Sequence, residues 1–296
     1  MAKVRVLVLG GAGLLGHKLY QILRPRFDVF ATVRKPASPY SRFGIFDPDR
    51  IQGEVDLRCV EPTLRVFAWS RPDVVINAVG AVPQRAESRD PLLNLEINSL
   101  LPHRLALICR ARGCRLIHIS TDCVFSGKKG GYNEQSASDA QDLYGRTKYL
   151  GEVYGQGALT LRTSFIGREL DSKYGLLEWF LSQKGKSCRG FSKAIFTGLT
   201  TVALAELVRD LIERHGELCG LYHVSADPIS KYDLLCLINE VYDLGVRIEK
   251  DEEFVCDRSL DSSVFRMATE WQPPSWRAMV VQMKRDGAAH EPSNKE

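Results

Sequence analysis

Short apolar runs alternate with stretches of helical periodicity over the first half of the chain. Lys3 to Leu9, Asp28 to Val33, Pro72 to Gly80, Leu116 to Ile119 and Ala158 to Ser164 are such runs. Short, β-branched and mostly without period-two alternation, they suit strands buried on both faces. Between them, Leu14, Leu15, Leu19, Ile22 and Leu23 fall on one helical face, and a longer helical pattern covers Pro91 to Arg112. The alternation predicts an α/β fold: a Rossmann-type, doubly wound parallel sheet with its ligand at the carboxyl ends of the strands. Gly10 to Gly16, Arg34, Asn77, Thr121 and Phe165-Ile166 all fall at that edge.

Beyond Gly167 the alternation blurs. Arg168 to Thr201 is polar and Gly-bearing, with Trp179, Phe180, Arg189, Phe191, Lys193 and Phe196 within it. A helix over Val202–Arg214, a strand over Gly220–Ser225, a helix over Ser230–Tyr242 and a short strand ending within Asp257–Leu260 follow. The expected organisation is a dinucleotide-binding domain of residues 1–165 with about 195–228, and a smaller, mixed α/β substrate-binding part of 166–194 with 229–285. Residues 286–296 (DGAAHEPSNKE) read as a disordered polar tail. There is no internal repeat and no long linker.

Composition narrows the class. The chain has 296 residues, of which 44% are hydrophobic and 26% charged, as in an ordinary soluble globular protein. A net charge of +4 without a dense Lys/Arg run excludes nucleic acid as the expected partner, yet suits a phosphorylated ligand. No stretch approaches the roughly 20 apolar residues of a membrane span. The apolar N-terminus runs into a glycine turn rather than a signal-peptide cleavage site. Eight cysteines without a CxxC or a Cys/His cluster read as thiols in a reducing compartment, so cytoplasmic location is expected and no metal is called for.

Gly10, Gly13 and Gly16, with Leu14 and Leu15 between them, follow the first strand and open the first helix. Gly10 permits the tight turn, Gly13 lets backbone approach a pyrophosphate, and Gly16 lets helix and strand pack closely. The first helical turn then presents its N–H groups to phosphate. The second strand ends at Arg34-Lys35, where a basic pair suits the 2′-phosphate of NADP better than an acidic residue would. Asp56-Leu57 sits where a third strand would end, beside the adenine. Asn77-Ala78-Val79-Gly80 is a turn of small residues that lets backbone lie against the cofactor, and Asn77 also suits a turn cap.

Tyr144 and Lys148 lie four residues apart, on one face of a helix. A fixed ammonium beside a phenol stabilises the phenolate and makes the tyrosine a proton donor near neutral pH. Ser120 and Thr121 offer hydroxyls at a strand end, where one could hold a carbonyl oxygen. Asn98, midway along the long helix, is expected to pack towards that strand and to support the lysine through water.

As a set these motifs resemble the dTDP-4-dehydrorhamnose reductase family of extended short-chain dehydrogenase/reductases. The resemblance rests on Gly10–Gly16, Asn77–Gly80, Ser120-Thr121-Asp122 with Val124-Phe125 and Gly127, Tyr144-Gly145 to Lys148, Gly151-Glu152, Leu161–Ser164, Tyr222–Ser225 and Ser259–Asp261. It implies NADPH-dependent reduction, with NADH as the alternative cofactor, of the keto group of a nucleotide-linked 4-keto-6-deoxy sugar. Tyr144 is then the general acid, Lys148 its partner and a ribose ligand, and Thr121 rather than Ser120 the hydroxyl on the carbonyl. Substrate contacts are expected from Ser120, Cys123, Val124, Phe125, Arg189, Phe196 and Arg258, and a homodimer is one expected assembly.

Cys123 departs from the tyrosine usual in the family. GDP-fucose synthase has a cysteine at that place and epimerises its sugar with it and a histidine, but no histidine stands between His118 and His215 here. Phe196–Thr200 follows the family's run only loosely. Two alternatives accompany the ketoreductase: an epimerase or dehydratase on the same scaffold, and a non-catalytic NADP-binding subunit like the methionine adenosyltransferase β subunit.

Overall fold

Parallel strands feeding back through helices build most of the molecule. The computed structural model describes residues 3–83 and 89–288. In chain order the first elements are β1 (Arg5–Leu9), α1 (Gly16–Leu23), β2 (Asp28–Thr32), β3 (Ile51–Gln52), α2 (Val60–Ser70) and β4 (Val74–Asn77). Next come α3 (Pro91–Asn94), a π-helical segment (Leu95–Leu100), α4 (Leu101–Arg112), β5 (Arg115–Thr121), α5 (Leu143–Leu150) and β6 (Ala158–Thr163). The later chain gives β7 (Phe165–Ile166), α6 (Leu176–Leu181), β8 (Ser187–Phe196), β9 (Leu199–Thr200), α7 (Thr201–Arg214) and β10 (Gly220–His223). It closes with β11 (Ile229–Ser230), α8 (Lys231–Tyr242), β12 (Arg247–Asp257), α9 (Ser263–Thr269) and α10 (Trp276–Ala288).

The main sheet has the order β10-β6-β5-β4-β1-β2-β3, the reversal between β1 and β4 being the Rossmann switch point. Its parallel register sets Leu9 level with Thr32 and Asn77, and Asn77 level with His118. The glycine turn, the end of β2, the turn after β4 and the end of β5 therefore open on one edge.

The chain divides into two compact units. The first comprises residues 1–120, 142–161 and 205–221; the second comprises 121–141, 162–204 and 222–296. The core of the first unit joins Leu7, Leu9 and Phe30 of the sheet to Val66 and Phe67 of α2 and Leu101, Leu105 and Cys109 of α4. In the second, β8 is flanked by antiparallel β11 and parallel β12, and β7 pairs with β9. Its main core unites Leu177 and Phe180 of α6, Leu234, Leu235 and Ile238 of α8, and Val280 and Met283 of α10.

Three differences from the sequence pattern have local causes. The expected long helix over Pro91–Arg112 is interrupted by the π-helical segment. Pro102 lies four residues after Asn98 and has no N–H for its carbonyl, which is the usual reason for a widened turn. The third strand stops at Gln52, well before Asp56, because the chain kinks at Gly53-Glu54: a Cβ at Gly53 would collide with backbone of residues 35–37, and Glu54 has φ 57°. The short strand expected near Asp257 is an 11-residue strand, β12, mostly exposed and so without an apolar signature. Helix α10 runs on to Ala288, and residues 289–296 of the expected tail lie outside the described residues. No described helix is long and apolar enough to cross a membrane.

Candidate functional site

The glycine turn is shaped by what a side chain would strike. Gly10 has φ +86°, a left-handed conformation, and a Cβ at Gly16 would overlap the Gly10 carbonyl. Gly13 N–H closes the turn on Gly10 O at 2.9 Å, and Gly11 N–H ties it to Thr32 O at 2.8 Å. No side chain caps the N-terminus of α1, where Leu15 stands at the cap position and is buried while Leu14 is half-buried. Uncapped N–H groups above a glycine turn at the switch point fit the pyrophosphate of a dinucleotide.

Arg34 and Lys35 are exposed just beyond the end of β2. Asp56 is held by Arg58 through a bidentate ion pair, Nη2 to Oδ2 at 2.6 Å, which draws its carboxyl below the usual range; the Arg34 charge adds to this. Leu57 is a core residue. In the turn after β4, buried Asn77 accepts from Val79 N–H at 3.2 Å and its amide lies 3.1 Å from His118 Nδ1. It is thus a turn cap as well as a member of the edge. Ala78 N–H bonds Leu9 O at 3.2 Å, joining this turn to the end of β1.

The Tyr-Lys helix, α5, is started by Asp142, whose carboxylate accepts from Gly145 N–H at 2.8 Å. Lys148 is 4% exposed and its Nζ donates to Ile119 O at 2.8 Å. Burial pulls its pKa down to about 8, against an opposing contribution from Glu152. Tyr144, one turn earlier, is half-buried. Ser120 points its hydroxyl not to solvent but to Glu152 Oε1, at 2.8 Å. Asn98 accepts from Ala81 N–H at 2.9 Å, and its amide nitrogen lies 3.0 Å from Ala81 O and 3.3 Å from Thr147 Oγ1. Its side chain therefore binds the turn after β4 to α5 at the residue preceding Lys148.

In the second unit, Thr121 is buried; its hydroxyl accepts from Cys123 N–H at 3.1 Å and lies 3.3 Å from Asp122 Oδ1. Burial raises the Asp122 carboxyl against the Arg258 charge. Burial likewise pushes the Cys123 thiol up to about 12, with Asp122 adding and Arg258 opposing. Arg258 donates from Nε to Phe125 O at 2.8 Å and reaches Cys123 Sγ at 3.5 Å.

Val124 and Phe125 are core residues packed with Tyr132 and Leu260; Phe125 stacks on Tyr132 at 4.2 Å. Ile166 and Phe196 also face a core, while Phe165 is half-buried. Arg189 is exposed and paired with Asp251 at 3.0 Å. Of the expected substrate residues, Cys123 and Arg258 are thus brought together, whereas Arg189 and Phe196 lie seven residues apart along β8 with different surroundings. Among the described residues no group of His, Cys, Asp or Glu could hold a metal ion.

The sequence marked Glu152 only as part of the Gly151-Glu152 run, with no place at this edge, and did not pair Asn77 with His118. Glu152 follows Lys148 at helical spacing, a signal that reads equally well as an exposed ion pair.

A family model described as the RmlD substrate binding domain matches residues 4–287. The chain is 28% identical over 256 residues to methionine adenosyltransferase 2 subunit beta of Danio rerio, covering 81% of this chain and 74% of that protein. It is 29% identical over 245 residues to the spore coat polysaccharide biosynthesis protein SpsK of Bacillus subtilis (strain 168), covering 80% and 78%. The solved dTDP-4-dehydrorhamnose reductase of Bacillus anthracis str. Ames, in complex with NADP, superposes with TM-score 0.79 at 21% identity, covering 97% of this chain and 100% of that one. The chain belongs to the RmlD, or dTDP-4-dehydrorhamnose reductase-like, family of extended short-chain dehydrogenase/reductases, and its architecture is that of an NAD(P)-binding oxidoreductase.

Proposed function

We propose that this family member uses NADPH to reduce the 4-keto group of a nucleotide-linked 4-keto-6-deoxy sugar. The observation that carries the reading is Lys148: an ammonium closed off from solvent, fixed on Ile119 O, one helical turn from Tyr144. Such a charge stabilises a phenolate, so Tyr144 can give its proton to the substrate oxygen near neutral pH. The bound cofactor supplies the hydride. Thr121 is the hydroxyl assigned to the carbonyl oxygen, Lys148 also binds the ribose, and Asn98 positions α5 through Thr147. Arg34 and Lys35 are assigned to the 2′-phosphate, and their exposure at the end of β2 supports NADPH over NADH.

Residues 1–165 with about 195–228 are the proposed dinucleotide-binding part and 166–194 with 229–285 the substrate part, a division by ligand rather than by packing. Cytoplasmic location and a homodimer belong to the same reading.

NADPH oxidation with a panel of dTDP-, UDP- and GDP-linked 4-keto-6-deoxyhexoses tests the proposal, with Tyr144→Phe as control. Turnover that prefers NADPH and drops by about a hundredfold or more in the variant is expected, the range for loss of a general acid. Tight NADPH binding without consumption on any sugar would sink it. An epimerase using Cys123 is disfavoured by the raised pKa of that thiol. A regulatory subunit is the second reading, favoured by the similarity to methionine adenosyltransferase 2 subunit beta. It predicts stoichiometric capture of a partner enzyme together with no turnover.

A further inference from the structure

Glu152 is a carboxylate inside the first unit, 6% exposed, to which the ketoreductase reading gives no role. Its burial follows from the sequence beside it. Helix α5 ends on Gly151, and a Cβ at Gly151 would overlap the carbonyl oxygen of Asn98 in the π-helical segment. Only glycine lets the chain pass that close, and the next residue is carried inward. There Glu152 accepts the hydroxyl proton of Ser120 at 2.8 Å, while the backbone carbonyl of the preceding residue, Ile119, receives the Lys148 ammonium at 2.8 Å. Ser120 and Ile119 are consecutive on β5, so carboxylate and ammonium are both anchored to one strand end.

His118 of β5 and, one turn earlier on α5, Tyr144 also lie near Lys148. His118 is held well below the ordinary imidazole range by burial, with the Lys148 charge adding to this, so it stays neutral and offers no countercharge. A buried ammonium without a compensating anion gives up its proton rather than stay charged. Glu152 is the group that acts on Lys148 in the opposite sense to burial.

We propose that Glu152 is a positioning residue that keeps Lys148 charged and seats it against the end of β5, through its hydrogen bond to Ser120 and its charge. Its consequence for catalysis rests on the ketoreductase reading; its effect on Lys148 does not. Glu152→Gln retains an acceptor for Ser120 and removes the charge. The titration of Lys148 is followed by NMR in the full-length protein carrying lysine labelled at Cε, the resonance being assigned with Lys148→Met.

The expected result is a midpoint lower in Glu152→Gln by about one pH unit or more, a tenfold smaller ratio of charged to neutral lysine at a given pH. The alkaline limb of kcat moves in the same direction and KM for the sugar stays nearly constant. A purely structural glutamate would leave the midpoint in place, and an unmoved midpoint overturns the proposal. Should the variant fail to fold, the wild type decides: coupling is reciprocal, so the Glu152 carboxyl carbon must show an inflection at the Lys148 midpoint. A flat response there also overturns it. Lack of turnover on every sugar, with the lysine shift present, sinks the ketoreductase reading and leaves this coupling standing.

Discussion

Burial of Lys148 leaves a thermodynamic signature that a surface lysine would not. Its pKa is near 8 in the fold against 10.5 for a free lysine, so between those values the unfolded chain binds more protons than the folded one. Stability from this group must therefore rise with pH from about 8 to about 10.5, by about 3 kcal/mol at 1.36 kcal/mol per unit. Urea unfolding of wild type and Lys148→Met across that range is the check. The wild type is expected to gain on the variant as pH rises, and parallel curves would contradict a pKa lowered by burial.

At the same scale, replacing Arg34 and Lys35 together by alanine removes two cations from the end of β2. Affinity for NADPH is expected to fall about tenfold or more, given about 1.5–3 kcal/mol for a hydrogen bond to a charged group. Affinity for NADH, which lacks the 2′-phosphate, is expected to change little; calorimetry with both cofactors checks this. An equal loss for both would remove the two residues from phosphate recognition. The glycines, Tyr144 and Lys148 were singled out in the sequence because they occur together, a glycine turn between strand and helix and a Tyr/Lys pair one helical turn apart, although each motif alone is common. Glu152 was not, since a glutamate at a helix end is ordinarily solvated, and only the close passage of Gly151 against Asn98 turns it inward.

That contact belongs to the scale of elements. Pro102 withholds a donor from the Asn98 carbonyl, the turn widens, and α5 ends against the freed oxygen with no room for a methyl group. Ser99 Oγ adds a hydrogen bond to Thr147 O at 2.8 Å, fixing the two helices one residue before Lys148. Gly151→Ala is expected to destabilise the protein by about 1–3 kcal/mol, as overpacking does, and to lower activity by displacing Lys148 and Glu152. Thermal unfolding together with kcat tests both effects; a variant as stable and active as wild type would show that the contact relaxes freely. The first five buried strands were readable because a parallel strand covered on both faces needs a continuous apolar run. β8 and β12 were not, because β12 is largely exposed and pairs with a strand some sixty residues earlier, Arg247 against Ser187. Nothing local in either sequence encodes that partner.

For the molecule as a whole, the chain passes between its two compact units at 120/121, 141/142, 161/162, 204/205 and 221/222. Neither unit is a continuous segment, so neither can be completed before most of the chain exists. The first unit shows what this demands. Arg115, at the start of β5, donates from its guanidinium to Leu211 O at 2.9 Å and Leu218 O at 2.8 Å, and β10 covers the outer edge of β6. A fragment of residues 1–204 would keep the glycine turn, Tyr144, Lys148 and Glu152. It would lose most of α7 and all of β10, leaving Arg115 without those acceptors and β6 as an unpaired edge. It is therefore expected to lack a cooperative thermal transition and to bind no NADPH, whereas the full chain unfolds with a sharp one. Circular dichroism melts with and without NADPH would decide. A cooperative, cofactor-shifted melt of the fragment would mean that the dinucleotide-binding half is independently stable, and that residues 205–221 contribute packing rather than completion of the fold.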